Sequence, residues 1–310
     1  MKEDEFSKRY RLVASTLAGY VLLPLKRKCR FCQLDETNTT FIRWAHLISE
    51  TLGENNSISY EECDRCNTLF SKYEAHLSKY FLPNLTMVGV KGKRRVPIFQ
   101  SRTENNEETG TIVKFDSSTQ HRQIFASKPS DLLINEENKT GAITFRKSNY
   151  RPIYIYKALV KYGLSLMPNG KISDYKNVYS WLIKDEGKIV LLPSVISRTL
   201  TNKRFETPYA LLFEAIPEMI EDEYFTPRHV LIVCFANLVL QVTLPVPQSI
   251  DINDVLKKTA KVPIYPYVNS DEIAGNSFGY ETLDFSSSDS VNSDQKMFIK
   301  FDTYKRNAVD

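Results

Sequence analysis

The 310-residue chain has five cysteines, and four of them form two equally spaced pairs, Cys29-x2-Cys32 and Cys63-x2-Cys66. A C-x2-C knuckle turns two thiolates toward one point, and two knuckles supply the four soft donors of a tetrahedral Zn²⁺ site. With every position filled by sulfur, such a zinc is structural, because none is left open to water. Four unconnected buried thiols would have no reason to fall in matched pairs. Cys234, alone between Val233 and Phe235, reads as a small core hydrophobe. Two further residues with chemical capacity lie between and just after the knuckles. They are His46, in Trp44-Ala45-His46-Leu47-Ile48, and Asn67, directly after Cys66.

These groups need elements to hold them. Thr39-Thr40-Phe41-Ile42-Arg43-Trp44 is β-branched and aromatic, which predicts a strand closed by Ala45-His46. Gly53 to Ser57 reads as a turn, with a second strand near Ile58 to Tyr60 before the second knuckle. From Asp64 the pattern becomes helical, since Leu69, Tyr73, Leu77 and Tyr80 recur at helical spacing, and Pro83 is expected to stop the helix. The local order is knuckle, strand, turn, knuckle, helix. Upstream, residues 5–24 predict a helix ending before Pro24.

Trp44-Ala45-His46-Leu47-Ile48-Ser49-Glu50 followed by Glu62-Cys63-Asp64-Arg65-Cys66-Asn67 resembles the zinc-containing branch of the HNH (ββα-metal) endonuclease family. The resemblance covers the segment from Cys29 to about Tyr80. It implies that His46 is the general base that deprotonates the attacking water. It also implies that Asn67, at the helix start, binds a catalytic divalent cation, Mg²⁺ or Mn²⁺, which grips the scissile phosphate. At about 100° per residue, Ser71 and Glu74 fall within roughly 40° of Asn67 on the helix, whereas His76 lies about 180° away. Glu50, Asp64 or Glu74 could supply a carboxylate to the site, with Glu74 favoured, and His76 reads as solvated or packing. Two departures stand out. Ala45 occupies a position where the family often has a metal-binding residue. The middle asparagine of the motif has no clear counterpart, because Asn55 and Asn56 lie in the turn and Ser57 or Ser59 could take its place. Structural alternatives stand beside each assignment: His46 as packing, Asn67 as a helix cap, Glu74 as a solvated carboxylate.

Basic residues flank the module. Lys26, Arg27, Lys28 and Arg30 surround the first knuckle, and Lys91, Lys93, Arg94 and Arg95 follow the helix. With Phe31 and Trp44 nearby they suit phosphate contacts, which give affinity without sequence information; solvated charge is the plainer alternative. The formal net charge of +4 permits nucleic-acid binding without demanding it.

Beyond the polar loop at 104–110 the sequence predicts strands at Thr111–Phe115, Arg122–Ala126 and Gly141–Phe145, and a helix over Tyr154–Leu166. A hairpin of Val230–Phe235 with Leu238–Leu244 turning at Ala236-Asn237 follows, and then a Ser/Asp/Asn-rich loop over Phe285–Gln295. No catalytic constellation is visible there. The expected fold is α+β: an N-terminal ββα-metal HNH module stapled by the four-cysteine site over residues 1–100, then a mixed α+β C-terminal domain with antiparallel strands over 111–310. The expected function is metal-dependent cleavage of phosphodiester bonds, DNA favoured, and the resemblance suggests anti-phage defence or restriction. The C-terminal domain is expected to serve recognition, sensing, self-association or a partner protein. Two rivals are a non-catalytic zinc-finger nucleic-acid binder and a nuclease subunit of a larger complex. The acidic start Met1 to Glu5 and the interruption of the apolar run Val230–Val242 by Asn237 and Gln241 predict a cytoplasmic protein with no membrane span.

Overall fold

The structure, a computed structural model, describes residues 4–17, 26–92, 95–102, 109–126, 128–184, 189–200, 203–221, 223–267 and 280–303. A short helix α1 (Glu5–Arg9) runs directly into β1 (Tyr10–Ser15). Two minimal strands, β2 (Ala45–His46) and β3 (Ile58–Ser59), precede the long helix α2 (Asp64–Val88). Next come β4 (Phe99–Arg102), β5 (Thr109–Asp116), β6 (His121–Phe125), β7 (Leu132–Asn135) and β8 (Thr140–Arg146). Helices α3 (Pro152–Leu166) and α4 (Lys176–Lys184) lead to β9 (Ser194–Thr199) and β10 (Tyr209–Ala215). The remaining elements are β11 (His229–Phe235), β12 (Leu238–Thr243), α5 (Ile252–Lys257), β13 (Tyr280–Asp284) and β14 (Asp294–Lys300). The fold is mixed α+β, and every ladder between these strands is antiparallel. No helix among the described residues is long and apolar enough to cross a membrane.

The chain forms two compact units, each drawn from two stretches. One comprises Met1–Ser78 and Arg151–Asp289, the other Lys79–Tyr150 and Ser290–Asp310. The first contains a six-stranded sheet ordered β1-β10-β11-β12-β9-β13. Its central hairpin β11–β12 pairs Phe235 with Leu238 around Ala236-Asn237 and is almost wholly buried, as a continuous apolar run requires. Helix α3 is apolar on all sides and is buried to match. The second unit holds two three-stranded sheets, β4-β5-β6 and β14-β8-β7, around Phe99, Val113, Ile143 and Phe145.

Three local expectations fail for identifiable reasons. The helix expected over 5–24 ends at Arg9, because Tyr10, Leu12 and Val13 enter β1 and gain a ladder with β10; residues 18–25 lie outside the described set. Pro83 does not stop α2, which continues to Val88. A proline inside a helix costs roughly 3 kcal/mol, and burial of Phe81 and Leu85, worth about 1.5–3 kcal/mol each, offsets it. The strand expected over 39–44 begins only at Ala45. The N–H groups of Ile42 and Arg43 donate instead to the Asp64 carboxylate at 3.0 and 2.8 Å, and the Asp64 N–H donates to Thr40 O at 2.8 Å. This exchange satisfies an orphan donor at the start of α2 and leaves the segment without a ladder.

A buried polar cluster in the first unit predicts acid sensitivity. His229 on β11 is buried, with Nδ1 2.7 Å from Tyr175 Oη, and burial pushes its pKa down to about 4 despite the nearby Glu214. Glu214 pairs with Arg11, Lys171 and Arg228. Burial works against its ionised form, but these cations outweigh it and hold the carboxyl at about 2. Between the unfolded histidine value near 6.5 and pH 4, only the unfolded chain carries the His229 proton, so stability falls with falling pH by about 1.4 kcal/mol per unit. The Glu214 contribution is lost at still lower pH. Urea unfolding of His229→Gln between pH 7 and pH 4 should show a shallower loss than the parent, by about 3 kcal/mol across the range. Parallel losses would remove His229 from the account.

Candidate functional site

The four cysteines converge. Their Sγ atoms all lie within 4.8 Å of one another, and Cys32 and Cys63 are 3.7 Å apart. Zn–S bonds of about 2.3 Å in a tetrahedron place sulfurs about 3.8 Å apart, so the cluster fits one zinc ion. Three of the four residues are buried and Cys32 is partly so. The first knuckle is shaped by Gln33, whose φ of +61° lets its N–H reach Cys29 O at 2.9 Å, while the Cys29 N–H bonds Leu34 O at 2.7 Å. A hydrogen bond from Cys66, helped by backbone N–H groups, holds the Cys29 thiol down to about 5. Among the described residues this is the one group of three or more His, Cys, Asp or Glu side chains close enough to share an ion.

His46 sits on β2 opposite Ile58. Its Nε2 is 3.5 Å from Glu50 Oε2, and Glu50 opens a 3-10 turn, Glu50–Leu52, capped by Ser49. Its Nδ1 is buried and has no hydrogen-bond partner among the described residues. Leaving such an atom unsatisfied costs about 1–3 kcal/mol, a cost that calls for an explanation such as a chemical task. The loop back to β3 turns through Gly53, at φ +143°. Asn55, which sequence reasoning left without a role, is buried in this loop. Its Nδ2 donates to Ile48 O at 3.2 Å and Gly53 O at 3.1 Å, and its Oδ1 accepts from the Ser57 N–H at 3.2 Å.

Lys161 on α3 was also missed. Its fully buried ammonium donates to His46 O at 2.6 Å and lies 3.2 Å from Glu62 Oε2 and 3.4 Å from Glu74 Oε1. It thereby gathers the His46 main chain and the Glu74 side chain around one atom. Burial alone would lower the lysine pKa, but the two carboxylates outweigh it and hold it above the usual value. Burial likewise pushes the Glu62 carboxyl up to about 7. The signal was present in the sequence: Lys157 and Lys161 lie one helical turn apart in an otherwise apolar helix, and a buried ammonium demands a carboxylate.

Asn67, one residue past the second knuckle, is partly buried. Its N–H bonds Cys63 O at 2.9 Å and its O accepts from Ser71 Oγ at 2.8 Å. His76 accepts the Arg151 N–H on Nδ1 at 2.9 Å and packs edge-on to Tyr154.

The basic residues divide. Lys26 and Lys28 are exposed, and Arg27 is partly buried with Nη1 on Phe41 O at 2.9 Å. Arg30, expected at a phosphate, is instead committed inside the fold. It binds Glu61 at 2.5 Å, Asn169 at 2.9 Å and the carbonyls of Leu164 and Met167, which leaves its side chain 8% exposed. Lys91 and Arg95 are exposed residues of the other unit, and Lys93 and Arg94 lie outside the described residues. No protein-family model matches this chain, and the comparisons with curated proteins and with solved structures gave no match either.

Proposed function

We propose that the chain is a zinc-stapled, divalent-cation-dependent endonuclease of the HNH kind, acting on nucleic acid, with DNA favoured and defence against foreign nucleic acid as its setting. The observation that carries this reading is the cysteine cluster itself. It joins the start of α2, where Asn67 lies, to the chain leading into the hairpin that bears His46, and His46 Nδ1 has no hydrogen-bond partner among the described residues. In this reading His46 takes the proton from the attacking water, and Asn67 and Glu74 would hold a divalent cation, which would supply charge neutralisation at the phosphate.

Asn67 offers a neutral amide, Ala45 offers nothing, and Glu74 is already engaged by Lys161. A cation held by so few protein groups would bind mainly together with nucleic acid. Asn67→Ala should therefore raise the Mg²⁺ concentration for half-maximal cutting by roughly tenfold or more. Mn²⁺, which tolerates imperfect geometry, should support better activity. Cleavage of labelled DNA and RNA across a metal titration tests this; an unchanged metal requirement in Asn67→Ala would place the cation elsewhere. The engagement of both Glu62 and Glu74 by Lys161 also favours a second reading, a non-catalytic zinc-stapled binder. That protein would retain nucleic acid and leave it intact at every metal concentration.

A further inference from the structure

Beside the His46 strand lies a cavity of about 150 Å³, a volume sufficient for one aromatic ring. Trp44 and Tyr60 line it, their rings meeting edge to face at 6.2 Å, and Arg27 and Arg43 stand with them. Glu62 closes its inner side: the residue is 2% exposed, and its carboxylate is turned away to Lys161, whose Nζ lies 3.2 Å from Oε2. Trp44 is 69% exposed and neighbouring Ile42 is 80% exposed, an expensive arrangement for large apolar side chains.

We propose that this cavity captures one unpaired nucleobase, so that the substrate class of the nuclease is single-stranded or locally unpaired nucleic acid. The proposal rests on the nucleic-acid reading above and deepens it. Two guanidinium groups beside an exposed indole match the two parts of a nucleotide, phosphate toward Arg27 and Arg43, and base against Trp44. Trp44 supplies the stacking face. Trp44 precedes His46 by two residues, at most about 7 Å of chain, so a base stacked on Trp44 lies near the His46 strand. A base inside a duplex cannot enter, because both its faces are already stacked on its neighbours.

The test uses the full-length His46→Ala chain without added Mg²⁺ or Mn²⁺, so that binding is read without cutting. The probes are fluorescein-labelled oligo-dC, oligo-dT and a mixed-sequence duplex. Of the two tryptophans Trp181 is buried, so quenching of exposed tryptophan emission reports on Trp44. Oligo-dC and oligo-dT should both bind at least tenfold more tightly than the duplex, with quenching. A Trp44→Ala substitution in this background should weaken oligo-dC binding by roughly 5- to 150-fold, the range for one stacked base, and Trp44→Phe should restore most of it. Equal binding of single strand and duplex, unaffected by Trp44→Ala, would overturn the pocket while leaving the nuclease reading intact. No binding of any probe would overturn both.

Discussion

Removing zinc, or replacing Cys63 by serine, is expected to release the segment between Lys26 and Glu62 from its folded position. The hairpin that carries His46 has only two residue pairs, Ala45↔Ser59 and His46↔Ile58, far below what an isolated hairpin needs to persist in water. Asp64, Asn55 and Lys161 add two, three and one side-chain hydrogen bonds, of about 1 kcal/mol each and somewhat more where a charge is involved. A four-thiolate zinc site contributes on the order of 10 kcal/mol, comparable with the whole stability of a domain. The six-stranded sheet has its own core around Phe6, Tyr10, Val230 and Ile232, so the loss should be local. Elemental analysis should find one zinc per chain. Chelation, or Cys63→Ser, should open residues 26–62 to protease while most of the sheet signal in circular dichroism remains. Protein without zinc, or a Cys63→Ser variant with unchanged protease resistance, would contradict this.

The second large effect belongs to His46. His46→Ala should lower cleavage by roughly 10² or more, the usual contribution of a positioned general base, and leave nucleic-acid affinity and the fold nearly unchanged. The register of β2 is set by main-chain pairing, and Lys161 grips the His46 carbonyl, not its ring, so both anchors survive in alanine. Deleting the imidazole also removes a buried Nδ1 that has no hydrogen-bond partner among the described residues, which argues against a large stability cost. Wild-type turnover in this variant would remove His46 from the mechanism. Failure to fold would mean that the ring is packing.

Where a local pattern decided the outcome, the sequence was readable. The paired cysteines converge, α2 starts at Asp64, and the Val230–Leu244 run forms the buried hairpin it suggests. Where a distant partner decided it, local pattern misled. Tyr10 to Ser15 becomes a strand only because β10 lies beside it, and Ile42 and Arg43 lose strand character to one carboxylate across a gap of more than twenty residues. Arg30 reads as a phosphate ligand until Glu61, Asn169 and two carbonyls of the α3 end claim it. Lys161 is separated in sequence from the carboxylates it joins, so no spacing argument about Glu62 or Glu74 could include it.

The central claim is hydrolysis, and one measurement bears on it most directly. Zinc-loaded wild-type protein and His46→Ala are incubated in parallel with end-labelled DNA and RNA, with Mg²⁺, with Mn²⁺ and with no added divalent cation, and the cleavage rates are compared. The account predicts cutting by wild type only when Mg²⁺ or Mn²⁺ is present, and at least a hundredfold less by His46→Ala under the same conditions. Intact nucleic acid in every wild-type reaction, or equal cutting by both proteins, would contradict it.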